Sequence, residues 1–271
     1  MEIKRKQCIF CNDSKSFKSK EHVFPQWVLE ELDCRNTVRP FSETQIQNVN
    51  NDQTNFDRKT KVRKNFGNHV SPFVCDDCNN GWMSRLESKT KPILLPLING
   101  TASLGSLSKE EKILISRWAA KTTCVIDSVN QPTDSIYLAA EPTEIRVRYN
   151  LPPGWAVFAR RHSATNPIGF VTNDFWWVEG NVSKEIEEKL KQYKRTIIQL
   201  KNLILATVFI GDEQLKLKAV KSFHFPININ LNIEWISYPR SSSFFTFLNM
   251  EQESTENLVS EFAGALSLEV L

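Results

Sequence analysis

The 271-residue sequence contains no apolar run that approaches the length of a transmembrane helix. Its first residues, M-E-I-K-R-K-Q-C, lack the apolar segment of a secretory signal. No internal repeat is visible, and residues 101–271 show no phosphate-binding loop, no nucleophile motif and no metal-ligand spacing. We therefore expect a cytoplasmic protein that does not contact membranes and whose chemistry resides in its first hundred residues.

The six cysteines fit a metal site in a reducing compartment better than a disulfide scaffold, because four of them form two C-x-x-C pairs. The pairs are separated by 63 residues, which is too long for a simple zinc finger and indicates a split site. Four thiolates form the usual tetrahedral site for structural Zn²⁺. The four predicted zinc ligands are Cys8, Cys11, Cys75 and Cys78.

An acidic residue and a histidine, Glu21 and His22, lie between the two cysteine pairs in the segment E-H-V-F-P. Asn79 directly follows the second pair, at the start of a helix that we expect to end before Pro92. Glutamate and asparagine oxygens suit Mg²⁺ or Mn²⁺ rather than Zn²⁺. A histidine that is neutral near pH 7 can accept a proton from water. We therefore predict a catalytic ion held by Glu21 and Asn79 beside His22, although an asparagine in this place is more often a simple helix cap.

The net charge of +3 is unevenly distributed along the chain. Residues 1–100 hold 16 Lys/Arg and 12 Asp/Glu, whereas residues 101–271 hold 18 and 19. Residues 33–68 are rich in Asn, Gln and Thr, which predicts a long surface loop. A basic run in this segment favours contact with nucleic acid, but a solvated loop explains such a run as well. The run consists of Arg58, Lys59, Lys61, Arg63 and Lys64.

The remaining patterns predict an α+β protein in two parts. Short strands are expected at 22–24 and 70–74, before and after the predicted loop. Pro92 and Pro96 indicate a boundary, which we place between an N-terminal domain of residues 1–95 and a C-terminal domain of residues 96–271.

The C-terminal domain is expected to be strand-rich with at least two helices. A capping box at 108–111 opens the first helix. The apolar run 203–210 predicts a central strand, and the alternation over 227–235 predicts one half-buried strand. A last helix is expected at 252–268.

The order of these motifs resembles the HNH endonuclease family, the ββα-metal nucleases. The matching segments are C-I-F-C at 8–11, E-H-V-F-P at 21–25 and C-D-D-C-N-N-G-W at 75–82. The resemblance is to the bacterial subgroup with E-H-V-F-P-x-W and C-N-N-G-W-M-x-x-L-E, and it covers about the first 95 residues. It implies a treble-clef-like, zinc-stabilised ββα-metal domain.

The resemblance also implies roles for single residues. His22 matches the general base, Glu21 the acidic metal ligand and Asn79 the last residue of the H-N-H triplet. The middle asparagine of the family, which supports the base, has two candidates here, Asn68 and His69. The implied products carry a 3′-hydroxyl and a 5′-phosphate.

The expected activity is metal-dependent hydrolysis of phosphodiester bonds, with double-stranded DNA as the first choice of substrate and RNA as the alternative. The main rival interpretation is a non-catalytic zinc-binding module for nucleic-acid or protein interaction. An effector of bacterial defence or of a mobile element is compatible with the nuclease interpretation. In that case residues 96–271 would contact a protein partner or a second copy of the chain.

Overall fold

Four helices and four sheets form a mixed α+β architecture in the described part of the chain, as the sequence predicts. Among the strands that the structure describes, all pairings but one are antiparallel. The computed structural model describes residues 7–13, 16–18, 20–47, 55–130, 140–161, 168–173, 193–211, 215–220, 225–230, 233–236 and 266–270.

The first sheet is an antiparallel pair of two very short strands, β1 (Glu21–His22) and β4 (Val70–Ser71). Strand β1 shares only His22 with the strand expected at 22–24, and β4 covers the first two residues of the strand expected at 70–74. Helix α1 (Gln26–Glu31) follows β1, and Pro25 directly precedes it. The fixed φ of proline suits the entry to a helix, so Pro25 ends the strand and begins the turn.

The predicted surface loop over 33–68 is wrong, because most of this segment is a β-hairpin. Strand β2 (Val38–Gln47) pairs antiparallel with β3 (Asn55–Asn65), with a register shift between Arg39 and Phe41. A β-ladder is formed by main-chain groups, so Asn, Gln and Thr side chains do not prevent it. Polar composition was therefore a misleading sign of a loop.

The helix after the second cysteine pair does not end before Pro92. A wide π-helical turn (Cys78–Met83) leads into α2 (Ser84–Ile98), which contains both Pro92 and Pro96. An interior proline costs a helix about 3 kcal/mol. Burial of one apolar side chain stabilises a fold by about 1.5–3 kcal/mol. Helix α2 buries Leu86, Leu94, Leu97 and Ile98, which offsets the cost of its two prolines.

The stop signal of α2 is Gly100 rather than a proline. Its φ is +79°, the left-handed conformation that glycine adopts without steric cost at the end of a helix. Its N–H donates to the Leu97 carbonyl at 3.2 Å. A Cβ at this position would lie 3.2 Å from Nδ2 of Asn202, so packing also favours glycine. The boundary predicted at 95/96 falls inside α2, three residues before its end.

Helix α3 (Lys109–Asn130) contacts both the N-terminal part and the largest sheet. The predicted capping box is confirmed, since the Ser108 N–H donates to Glu111 Oε2 at 2.8 Å and the Glu111 N–H donates to Ser108 Oγ at 3.2 Å. Every residue from 118 to 128 is buried. A helix that is buried on all sides has partners all round, and α3 packs on α2, on β4 and on the large sheet described next.

The largest sheet is antiparallel, with the strand order β10-β5-β8-β7-β6. Strand β8 lies at its centre with all eight residues buried, which confirms the predicted central strand. A smaller sheet has the order β11-β9-β12, in which β11 runs parallel to β9. The ranges are α4 (Ala140–Val147), β5 (Trp155–Arg161), β6 (Ile168–Asn173), β7 (Tyr193–Leu200), β8 (Leu203–Ile210), β9 (Leu215–Val220), β10 (Phe225–Asn230), β11 (Ile233–Ile236) and β12 (Leu266–Val270).

Two expectations for the C-terminal part are wrong in detail. The alternating segment 227–235 is not one strand, because β10 pairs with β5 whereas β11 pairs with β9 in the other sheet. The end of the expected helix over 252–268 is strand β12, and its earlier part lies outside the described residues. The alternation L-S-L-E-V has the two-residue period of a strand, which the helix prediction overlooked.

None of the helices in the described ranges combines the length and the apolar character that a membrane span requires.

Candidate metal centre and active site

The four cysteines of the two C-x-x-C pairs come together in space. The sulfur atoms of Cys8, Cys11, Cys75 and Cys78 all lie within 4.8 Å of one another. The Cys11 and Cys75 sulfurs are 3.6 Å apart. Zn–S bonds of about 2.3 Å in a tetrahedron require sulfur separations of about 3.8 Å. The donor set and its spacing therefore fit a structural metal such as zinc.

The main chain shapes each cysteine pair into a turn that presents two sulfurs. The Asn12 N–H donates to the Cys8 carbonyl at 2.8 Å, and Asn12 has a φ of +55°, a conformation that asparagine tolerates. The Asn79 N–H donates to the Cys75 carbonyl at 3.0 Å in the second turn. The ring of Phe10, in the first turn, meets that of Trp82, four residues after Cys78, edge to face at 5.2 Å.

The thiols of the cluster cannot all ionise without a cation. The Cys78 side chain donates to Cys8 and lowers the pKa of Cys8 to about 4. The Cys75 N–H also donates to the Cys8 sulfur at 3.4 Å. Burial raises the pKa of Cys75 to about 11, and the hydrogen bond with Cys8 raises the pKa of Cys78. One thiolate is therefore favoured and further ones are opposed, so a bound cation is needed to hold four.

The Glu21 carboxylate, predicted as a metal ligand, has a protein partner. Lys121 of α3 donates to Glu21 Oε1 at 3.1 Å and to Glu87 Oε1 at 2.7 Å. No donor among the described residues reaches Oε2 of Glu21. Burial raises the pKa of Glu21, and the Lys121 ammonium works against this increase. Lys121 therefore joins a carboxylate of β1 to one of α2.

His22, predicted as the base, lies half-buried on β1. Successive residues of a strand point to opposite faces, which fits the buried Glu21 beside the more accessible His22. Burial and the nearby Arg35 guanidinium lower the pKa of His22, whereas the Gly67 backbone and Glu87 act in the opposite direction. The imidazole is therefore neutral near pH 7, the form that a general base requires.

The segment around His22 depends on a close contact between Gly67 and Arg35. The Gly67 N–H donates to the Arg35 carbonyl at 3.0 Å. A Cβ on Gly67 would lie 2.9 Å from both the carbonyl oxygen and Cγ of Arg35. Only glycine fits this approach without a shift of the main chain.

The two candidates for the middle asparagine directly precede β4, and their contacts differ. The His69 carbonyl accepts the N–H of Val23, the residue after His22, at 2.9 Å. The buried His69 ring packs on Phe170 at 5.5 Å. Asn68 is exposed, and its N–H donates to Asn65 Oδ1 at 2.9 Å. The middle position of the triplet stays a prediction with two candidates.

The last predicted site residues are Asn79 and the five basic residues, whose positions in the fold are as follows. Asn79 is partly exposed in the wide turn (Cys78–Met83) rather than at the first residue of α2. The metal that we expect between it and Glu21 stays a prediction. Arg58, Lys59, Lys61, Arg63 and Lys64 all lie on strand β3.

Sequence reasoning missed Glu87 and Lys121. Lys121 lies 100 residues from Glu21 along the chain, so no local spacing connects them. The available sign was its place between Trp118 and Val125 on the apolar stripe of α3, where a charged side chain must have a partner.

Comparisons with family models, with curated proteins and with solved structures give no match to this chain.

Proposed function

We propose that this protein is an HNH-type endonuclease that hydrolyses phosphodiester bonds in double-stranded DNA. The observation that carries the proposal is the place of His22, a half-buried histidine with a lowered pKa on β1. β1 pairs with β4, which leads within four residues into Cys75 and then into α2. This β-β-α order around a four-cysteine cluster supports the assignment of the ββα-metal fold.

The four cysteines would hold Zn²⁺ in a structural role. The N–H of Ile9, inside the first turn, donates to the Phe73 carbonyl at 3.0 Å, two residues before Cys75. A metal that joins both turns would therefore fix β4 relative to the first pair. Such a site contributes directly to folding, because an unfolded chain does not hold its ligands together.

The reaction would start from the neutral imidazole of His22. His22 accepts a proton from the attacking water and so raises the nucleophilicity of the oxygen. Glu21 Oε2 and the Asn79 side chain would hold Mg²⁺ or Mn²⁺, which supplies charge stabilisation for the phosphate and the leaving oxygen. The basic residues of β3 would contact phosphates without reading the sequence.

Plasmid cleavage tests the proposal directly. Wild-type protein is incubated with supercoiled DNA in EDTA, Mg²⁺ or Mn²⁺, and we expect nicking only with a divalent ion. His22→Ala leaves the cysteines and Lys121 in place, so zinc content and melting temperature should stay near wild type. Its cleavage rate should fall by about 10²–10⁴. Full activity of a clean His22→Ala preparation would falsify the assignment.

Asn79→Ala separates the metal from the base. This variant should also lose cleavage, but excess Mn²⁺ should restore part of it, because mass action refills a weakened site. The same excess should not restore His22→Ala, because a metal ion cannot replace the proton acceptor. Equal rescue of both variants would contradict the separate roles.

A second candidate is a non-catalytic zinc module that binds nucleic acid or a protein. The Lys121–Glu21 ion pair favours it, because the ammonium already balances the carboxylate that a catalytic ion would need. This candidate predicts no cleavage by wild type with any divalent ion and no effect of His22→Ala beyond stability.

A further inference from the structure

A fully buried ammonium lies between two carboxylates from different parts of the chain. The Lys121 side chain is 0% exposed, that of Glu21 is 7% exposed and that of Glu87 is 21% exposed. The three residues come from α3, β1 and α2, respectively. The Lys121 nitrogen lies 3.1 Å from Glu21 Oε1 and 2.7 Å from Glu87 Oε1, so two carboxylates hold it in place.

The two carboxylate oxygens of Glu21 have different surroundings. Lys121 contacts Oε1, and no donor among the described residues reaches Oε2. A carboxylate held at one oxygen by a fixed donor has a defined plane, so the direction of its other oxygen is also set. Metal-binding carboxylates commonly receive such support from an outer hydrogen bond.

A second contact from α3 makes this orientation more rigid. Ser128 Oγ and Ser71 Oγ are 2.7 Å apart, and both side chains are buried. Ser71 is the residue opposite Glu21 in the β1–β4 pair. Lys121 and Ser128 are seven residues apart, which places them on one face of the helix. Helix α3 therefore contacts both Glu21 and Ser71, which face each other across the β1–β4 pair.

We propose that Lys121 is a positioning residue of the candidate active site: it orients the Glu21 carboxylate and supplies its counter-charge, so that a helix outside residues 1–95 completes the site. The inference rests on the proposed function, because it assigns Glu21 to the binding of a divalent ion.

Lys194 offers a matched control on the same helix. Lys194 is also buried, and it forms an ion pair with Asp127 of α3. This pair faces the large sheet, since Lys194 belongs to β7. Loss of either lysine leaves a buried carboxylate without its ammonium and lowers stability. Only the loss of Lys121 should alter the chemistry.

The experiment compares Lys121→Met with Lys194→Met in the full chain. Three quantities are measured below both melting temperatures: Mn²⁺ binding by electron paramagnetic resonance of the free ion, plasmid cleavage at saturating Mn²⁺, and thermal unfolding. We expect both variants to melt earlier than wild type. Lys121→Met should bind Mn²⁺ at least as tightly as wild type does, because the substitution removes a positive charge that repels the ion. Its cleavage at saturation should fall about 10–100-fold, whereas Lys194→Met should cleave like wild type.

If Lys121→Met does not fold, Lys121→Arg and Lys121→Gln decide the question. Arginine keeps the charge and the donors, so this variant should cleave at least tenfold faster than Lys121→Gln at saturating Mn²⁺. Equal loss in both variants would assign Lys121 a merely structural role.

Three results would overturn the inference. They are wild-type cleavage by Lys121→Met, an equal loss in Lys194→Met, and a loss in Lys121→Met that weaker Mn²⁺ binding explains completely. Each of these leaves an active wild-type enzyme and the proposed function intact. Absence of wild-type cleavage with every ion would instead refute the proposed function and, with it, this inference.

Discussion

At the scale of single residues, spacing along the sequence identifies the cysteine cluster but not the ion pair of Lys121. Cys8, Cys11, Cys75 and Cys78 could be found because each C-x-x-C pair is a local pattern, and two such pairs indicate one metal. Lys121 could not be found this way, since its partner Glu21 is 100 residues distant. A buried ion pair between distant segments depends on the tertiary fold, which a local pattern does not contain.

His22 predicts a definite pH dependence of stability. Its pKa in the folded protein is below the ordinary value of 6.5. Between the two values the unfolded chain binds the proton and the folded protein does not, so stability increases with pH in this window. The contribution is complete above pH 6.5 and is lost as the pH falls through the folded pKa.

The measurement is urea unfolding of wild type and His22→Gln between pH 5 and pH 8. The difference in unfolding free energy should be constant above pH 6.5 and should move in favour of the variant as the pH falls, because glutamine takes up no proton. A difference that does not vary with pH would mean that His22 titrates alike in both states.

At the scale of elements, polar composition and proline were poor predictors of where strands and helices lie. The polar segment 33–68 forms the β2–β3 ladder, because main-chain pairing is indifferent to most polar side chains. Pro92 and Pro96 lie within α2, because the buried leucine and isoleucine face of the helix offsets the lost hydrogen bonds. Capping chemistry was reliable, since the Ser108 and Glu111 bonds form as the pattern predicts.

The cysteine turns predict a zinc-dependent N-terminal part. Cys75→Ser removes one ligand of the cluster and should abolish stoichiometric zinc in elemental analysis. Apparent zinc-binding free energies of small structural sites are about 10–16 kcal/mol, so the loss should exceed what a marginally stable domain tolerates. Because the cluster belongs to a core shared with the large sheet, circular dichroism should show a much lower melting temperature for the whole chain.

Cys124→Ser provides the matched control, because this buried cysteine lies on α3 and outside the cluster. It should keep one zinc per chain. Wild-type protein purified without chelators and free of zinc would contradict the prediction.

The basic positions of β3 predict electrostatic binding without sequence preference. Replacement of Arg58, Lys59, Lys61, Arg63 and Lys64 by glutamine should weaken DNA binding at every sequence. The slope of log Kd against log salt should fall by about one for each phosphate contact that is lost. Fluorescence anisotropy over a salt series measures this slope. An unchanged slope would show that these five basic residues are solvated and do not contribute to DNA binding.

At the scale of the whole molecule, the N-terminal part and the large sheet share one hydrophobic core. The buried cluster extends from Cys8 and Phe10 through Trp118 to Leu205. Helix α3 connects the two sides, because it contacts β4 through Ser128 and β8 through Thr123, whose hydroxyl lies 2.6 Å from that of Thr207. The sequence indicates the elements of this arrangement but not the sheet order, which depends on pairings between distant segments.

The shared core predicts that the N-terminal residues do not fold alone. A fragment of residues 1–98 keeps the four cysteines of the cluster and ends with α2. It loses Trp118, which packs near Trp27 with a ring separation of 6.4 Å, and it leaves Glu21 without Lys121. The Leu97 carbonyl also loses the Arg161 guanidinium, which donates to it at 2.6 Å. A buried carboxylate without its partner and an exposed α2 face both oppose folding.

The fragment should therefore bind zinc through its cysteines yet show no cooperative thermal transition and poor dispersion in an ¹⁵N–¹H spectrum. Addition of a separately produced 99–271 chain should restore dispersion if the interface forms in trans. A cooperative melt of the isolated fragment with one zinc would show instead that the cysteine cluster stabilises this part without α3. In that case the contacts of Lys121 and Ser128 would join two independently folded units.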